Sequence, residues 1–334
     1  MRSREDYKDI YARMDNQTTL KPVQAHECFS ACMGNIMASK YPWISGNEIV
    51  ISGTGFRVVY HRDRKMLSTN MYHSNFRFLE KYNVKYLHDT LKPGDDPLHF
   101  VSKTLDAQKY LILRLDARQL TYDRVFRQAE HASHYVNLLA VRGDKLLLCD
   151  GYVPAKTATT FLGEVPCGEV WNAWREAGWE YYLFDDVPAL EETEFRRDVA
   201  KELENSIWIY RQGGRVGEDF FGKDSAAEMF RGLDYLNRDR VFEVNYQLKI
   251  FGFLSLKQIV CEILKKNPNG KDALEEYEQI LSEWNKICTF TVKIGLSSRK
   301  ELYDALLERV HGCMEAEDKV LGKILDAGLH NISF

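Results

Sequence analysis

Three residues far apart in the chain, Cys28, His134 and Asp150, have the types and settings that thiol nucleophilic catalysis requires. A thiol attacks only as thiolate, and a helix N-terminus and an imidazolium are two devices that generate one. Cys28 precedes Phe29-Ser-Ala-Cys-Met-Gly-Asn-Ile-Met37, a helix start rich in small residues, where unsatisfied amides and the dipole favour a negative charge. His134 opens the run Tyr-Val-Asn-Leu-Leu-Ala-Val, and Asp150 ends Lys-Leu-Leu-Leu-Cys-Asp. A turn at Arg142-Gly-Asp-Lys145 makes these two runs a predicted hairpin, bringing both side chains to one end of a sheet. The chemistry of such a Cys-His-Asp triad is acyl transfer through a thioester.

Rivals stand close to each member. Cys32 lies one helical turn beyond Cys28 and faces the same side, but further from the positive end of the dipole, so packing is its expected role. His131 falls in the loop before the strand, whereas His134 is on it, and a ring held on a strand is placed more reproducibly. Asp150 precedes Gly151 and reads either as the orienter of His134 or as a turn aspartate. For an oxyanion the backbone N–H of Cys28 is one donor, with Gln24 or the side chain of His26 as candidates for the second. A zinc reading of His26, Cys28, Cys32, His131 and His134 fails on spacing, because the chain has no Cys-x-x-Cys pair. No metal and no bound cofactor are expected. The glycines of Ser52-Gly-Thr-Gly-Phe56 and Gly213-Gly-Arg-Val-Gly217 do not form a nucleotide fingerprint and read as turns or hinges.

The elements that must position these groups divide at the composition change near 186–192. Before it, helical spacing over 30–41 stops at Pro42, and 48–60 reads as a short helix or extended piece, a glycine turn and a strand. Helices are expected at 75–81 and 95–110 and strands at 110–116 and 179–185, besides the hairpin. After it, helical periodicity runs from 190 through segments 225–237, 242–265, 271–287 and 299–327. The expected class is α+β, with a catalytic domain at 1–188 and a helical lid or substrate domain at 189–334. The loop 212–222, glycine-rich and ending in Phe220 and Phe221, reads as a hinge presenting aromatic surface to a substrate, or as an ordinary connection.

Composition narrows the partners. With 49 acidic and 45 basic residues, no basic field favours nucleic acid or an anionic membrane. No apolar run approaches the roughly 20 residues that span a bilayer. The charged stretch at 1–9 is no secretory signal, and seven scattered cysteines suit a reducing cytoplasm better than a disulfide framework.

Several segments resemble the butirosin biosynthesis protein H-like family: His26-Glu-Cys28 opening a helix, Glu48-Ile-Val-Ile-Ser-Gly-Thr-Gly-Phe-Arg-Val-Val-Tyr60, His134-Tyr-Val-Asn137, Asp150-Gly-Tyr-Val-Pro154, and Phe221-Gly-Lys-Asp-Ser-Ala-Ala-Glu-Met-Phe230. The resemblance implies a papain-like, cysteine-protease-like fold in the N-terminal half. It also implies a cysteine that accepts an acyl or peptidyl group from the phosphopantetheine thioester of a carrier protein. A small-molecule amine would then take the group as an amide, in natural-product assembly of the aminoglycoside, nonribosomal peptide or thioamide kind. Many papain-like relatives carry Gln six residues before the cysteine; here that position is Pro22, and Gln24 is four before. The same triad would serve a cysteine peptidase or thioester hydrolase, and a degenerate site would leave a non-catalytic carrier-binding module.

Overall fold

The computed structural model describes residues 20–128, 132–154, 159–250 and 252–330. In chain order the first elements are α1 (Cys28–Ala38), α2 (Gly46–Thr54), β1 (Val58–His61), β2 (Met66–Thr69), α3 (Met71–Lys81), β3 (Tyr86–Thr90), α4 (Pro97–Asp106) and β4 (Tyr110–Asp116). Next come β5 (Ser133–Arg142), β6 (Lys145–Val153), β7 (Thr159–Pro166), α5 (Cys167–Glu176) and β8 (Glu180–Phe184). The chain continues with α6 (Glu192–Gln212), β9 (Gly214–Val216), β10 (Asp219–Phe221), α7 (Lys223–Arg231), α8 (Arg238–Ile250), α9 (Phe253–Lys266), α10 (Lys271–Ser297) and α11 (Lys300–Ala327). The protein is thus mixed α and β, with two antiparallel sheets. Among the described residues no helix is long and apolar enough to cross a membrane.

Two compact units share these elements. One comprises Met1–Ile49 and Leu79–Ala189, the other Val50–Phe78 and Leu190–Phe334. A single cut near 188 therefore misses one excursion, in which β1, β2 and most of α3 join the second unit. Its strand β1 pairs with β10, a partner more than a hundred residues away, and local sequence carries no signal of that.

The first unit is built on a six-stranded sheet, ordered β3-β8-β4-β5-β6-β7. Leu111, Leu113 and Leu115 of β4, Val136 and Leu138 of β5, and Leu146 and Leu148 of β6 recur at every second position and form one buried cluster. Val101 of α4 and Val170, Ala173 and Trp174 of α5 belong to the same cluster. The alternate positions of β5 meet α1: Phe29 packs edge-on to Tyr135 at 5.1 Å between ring centroids, and Asn35 Nδ2 donates to Asn137 Oδ1 at 2.9 Å. Asn137 Nδ2 in turn donates to the carbonyl of Cys32, so this buried amide pair ties helix to strand. The hairpin of β5 and β6 turns at Gly143-Asp144, Gly143 supplying a φ of 61°.

The small residues of α1 serve two neighbours. A Cβ added at Gly34 would lie 2.5 Å from the backbone nitrogen of Gly46, so Gly34 makes room for α2, not for the sheet. Ala31 is the one that meets the sheet, where a Cβ at Gly151 of β6 would come within 3.0 Å of its methyl group.

The second unit combines a four-stranded sheet, ordered β2-β1-β10-β9, with helices α6 to α11. The expected hinge at 212–222 is a β-hairpin, with β9 and β10 paired about Gly217-Glu218 and β10 paired to β1. Residues 242–265 do not form one helix either. Gly252 takes a φ of 94°, outside the helical range, and separates α8 from α9.

Candidate active site

The nucleophile, base and orienter of the sequence reading come together within the first unit. His134 sits at the second residue of β5 and Asp150 on β6. Asn137 pairs with Cys149, and continuing that register sets Val136 opposite Asp150, which makes His134 and Asp150 diagonal neighbours on one face. Their side chains bond directly, His134 Nε2 to Asp150 Oδ2 at 2.7 Å, and both are wholly buried. Asp150 is therefore a strand residue bonded to His134, placed just before a break in the β6–β7 register. Its carboxylate takes two further donors, the Tyr122 hydroxyl at 3.0 Å on Oδ2 and the Tyr152 N–H at 2.9 Å on Oδ1. Tyr122 is held by stacking on Phe161, with centroids 3.9 Å apart.

Asp150 on Nε2 fixes the neutral imidazole as the Nε2–H tautomer and leaves the Nδ1 lone pair open. Nδ1 is buried and has no well-formed hydrogen bond. The group that interacts with His134 from the other side is Cys28, whose thiolate would be stabilised by His134 and by the Tyr135 N–H. Burial lowers the proton affinity of His134, but the charge and hydrogen bond of Asp150, and then Cys28, outweigh it and raise its pKa well above the ordinary value. Phe126 and Tyr152 put their rings 5.6 and 6.5 Å from the imidazole. His131 lies outside the described residues.

Cys28 is the first residue of α1 and is half-buried. One expectation is reversed here. The helix N-terminus is not a bare positive end, because the carboxylate of Glu27 accepts the N–H groups of Phe29 at 3.0 Å and Ser30 at 2.6 Å. Glu27 Oε1 also lies 3.6 Å from Cys28 Sγ. Burial and then the Glu27 charge push the thiol above its usual pKa, and His134 and the Tyr135 N–H only partly offset them. Cys28 thus rests as a thiol beside Glu27 Oε1, and His134 can take its proton only in the neutral, Nε2–H form.

The other cysteines are less suited to attack. Cys32 and Cys149 are completely buried, and burial holds their thiols well above the usual range. Cys167 is half-buried, on α5, and its thiol is raised by burial and by Asp144. In the second unit burial pushes Cys261 and Cys313 up to about 12 and Cys288 to about 11.

The remaining candidates are dispersed. Gln24 is exposed in the extended segment ahead of α1. His26 is buried, and its backbone N–H donates to Asn47 Oδ1 at 3.2 Å. Phe220 and Phe221 are half-buried on β10 in the second unit, opposite Tyr60 and Val59, and Phe220 lies under the guanidinium groups of Arg215 and Arg62.

Sequence reading misses Glu27, Tyr122, Tyr152 and Asp123. Asp123 is wholly buried, its Oδ1 accepting the N–H groups of Val125 and Phe126. It thereby shapes the turn that presents Phe126 to His134. Only Glu27 had a legible signal, an acid one residue before a helix start; glutamate is simply not a usual N-cap.

The arrangement is chemically equipped to move a proton off a thiol at a helix start and to hold the resulting imidazolium against a carboxylate. No family model matches the chain, and no curated protein matches it.

Proposed function

We propose that the chain is a cysteine-dependent acyltransferase with a papain-like catalytic unit. The observation that carries this reading is His134, bonded to Asp150 through Nε2 while its buried Nδ1 is left for the Cys28 proton. In the form with a neutral imidazole, reached as the pH passes the raised His134 value, transfer of the Cys28 proton to His134 gives a thiolate beside an imidazolium. The thiolate attacks the carbonyl carbon of a thioester, and the bond from that carbon to the donor sulfur breaks. His134 gives its proton to the departing sulfur, leaving the acyl group on Cys28 and a neutral imidazole. An amine then attacks the acyl-enzyme, His134 takes a proton from its nitrogen, and the Cys28 carbon–sulfur bond breaks to release an amide. The proton on His134 returns to the Cys28 sulfur.

The elevated thiol favours a thioester donor over a peptide. Cysteine peptidases such as papain hold a standing thiolate at low pKa, and here the Glu27 charge opposes one. A thioester is already activated, and its leaving sulfur departs without the prior protonation that an amine requires. A phosphopantetheine arm on an acyl or peptidyl carrier protein is the donor that the family resemblance suggests, and a small-molecule amine the acceptor. Asp150 and Tyr122 position the imidazole and take no part in bond making. The Glu27 carboxylate accepts the Phe29 and Ser30 N–H groups, and the Cys28 N–H serves as a backbone donor for the oxyanion.

The test is intact-protein mass spectrometry after mixing with an acyl-phosphopantetheine thioester. A mass increase equal to the acyl group, mapped to Cys28 and discharged as amide on adding an amine, is the expected result. An adduct discharged only by water, with amine present, makes the protein a hydrolase. Absence of any adduct removes covalent catalysis.

A further inference from the structure

The second unit carries a constellation that the Cys28 chemistry does not use. His61 on β1, Ser68 on β2 and Asp219 on β10 meet across three neighbouring strands. His61 Nδ1 lies 3.0 Å from Asp219 Oδ1, and His61 Nε2 lies 3.0 Å from Ser68 Oγ. Strand register explains the meeting. His61 is opposite Asp219 on one side and Met66 on the other, so Ser68, two residues past Met66, is its diagonal neighbour on the same face. The opposite face holds Val58, Tyr60 and Leu67, all buried, whereas His61, Ser68 and Asp219 are each accessible in part.

From these contacts we infer that Ser68, His61 and Asp219 form a second nucleophilic site, a Ser-His-Asp relay acting on ester-type acyl donors. A carboxylate on Nδ1 holds the imidazole as the Nδ1–H tautomer, which leaves the Nε2 lone pair for the serine proton. Both bonds are of ordinary length, and all three side chains stand on paired strands, where position is better kept than on loops. Order along the chain is no objection, since triads are recognised by geometry and occur in several orders. Val59 and Phe221, opposite each other on the same face, give an apolar neighbour to the hydroxyl. In the reaction Ser68 Oγ attacks the ester carbonyl while its proton passes to His61 Nε2. The bond to the leaving alkoxide breaks, and that oxygen takes the proton from His61. Water then repeats the sequence on the acyl-serine, releasing the acid and restoring Ser68.

The experiment uses the full chain carrying Cys28→Ala, so that no thiol adduct from the first site intervenes. The protein is treated with an alkyl fluorophosphonate, a probe that phosphonylates activated serines, and the adduct is mapped by peptide mass spectrometry. One adduct on Ser68 is expected, absent in Ser68→Ala. His61→Ala should slow labelling by about 10²-fold or more, the usual scale for removing a general base. Asp219→Asn should slow it while leaving the far-ultraviolet circular dichroism unchanged. No adduct on Ser68 in the parent protein overturns the inference whatever the variants do. So does labelling that His61→Ala leaves at its original rate, because the cluster would then be a polar cross-strand contact and nothing more. Neither result bears on acyl capture by Cys28, which is measured in the unsubstituted chain.

Discussion

At the scale of single residues, the protein sets two charges against each other around one sulfur. His134 favours the thiolate of Cys28 and Glu27 opposes it, with burial on the side of Glu27. Cys28→Ala should abolish acyl capture, while Cys32→Ala should keep most of it, since Cys32 is buried and protonated; retention of the adduct in the Cys28 variant is the outcome that sinks the assignment. Glu27→Gln keeps an acceptor for the helix N–H groups and removes the charge. The pH midpoint for alkylation of Cys28 should fall, with faster reaction at neutral pH, measured in a Cys167→Ala background to silence the other half-buried thiol. An unmoved midpoint would mean that the carboxylate only caps the helix. His134→Ala should lower turnover by about 10²–10⁴-fold. Tyr122→Phe removes one of the three donors on Asp150. A positioning role predicts a shifted pH–rate profile in that variant, and a merely structural one predicts a lower melting temperature with the profile unchanged.

At the scale of elements, the site depends on how closely α1 approaches β5 and β6. Gly151 is the tightest point: a Cβ there would lie 2.5 Å from the Val23 carbonyl oxygen, a backbone atom that cannot swing aside. Gly151→Ala should therefore destabilise the protein by about 1–3 kcal/mol, the usual range for overpacking. It should also disturb Asp150, the preceding residue, so activity should fall further than stability alone accounts for. Urea unfolding combined with single-turnover acylation separates the two effects. Helix α1 and strand β5 are further joined by the Asn35–Asn137 pair, where loss of one amide leaves the other buried without its partner.

At the scale of the whole molecule, two buried charged clusters serve different ends. In the second unit Lys257 and Glu317 form a buried ion pair, with Tyr210, Tyr277 and Trp284 donating to the same carboxylate. The ammonium also lies over the rings of Phe253, Tyr210 and Trp284. Lys257→Met should cost about 3–5 kcal/mol by stranding a buried carboxylate, and adding Glu317→Leu should recover much of that loss. Thermal unfolding of the single and double variants measures it. In the first unit His134 binds its proton more tightly folded than unfolded. Its contribution to stability is therefore complete below about pH 6.5, the ordinary histidine value, and is lost as the pH rises through the higher folded value. Asp150→Asn should flatten that alkaline decline in melting temperature.

Local pattern in the chain was enough for the main strands and helices and for the likeness of Cys28, His134 and Asp150 to a triad. The aliphatic run 110–116 and the hairpin around Gly143 have strong periodicity of their own, and the hairpin places His134 and Asp150 at neighbouring positions whatever surrounds them. Edge strand β3 is not legible in the sequence, because every one of its residues is exposed and carries no apolar alternation. Strand β7 is obscured by Gly163 in its middle and Pro166 at its end. Tyr122 and the second-unit partners of His61 are beyond reach for another reason. Tyr122 joins Asp150 across 28 residues, and Asp219 joins His61 across 158. Such meetings arise from strand order, which no local spacing encodes. The charge state of Cys28 was decided in the same way: sequence located the helix start, but only the folded backbone turned the Glu27 carboxylate onto its amides and beside the sulfur.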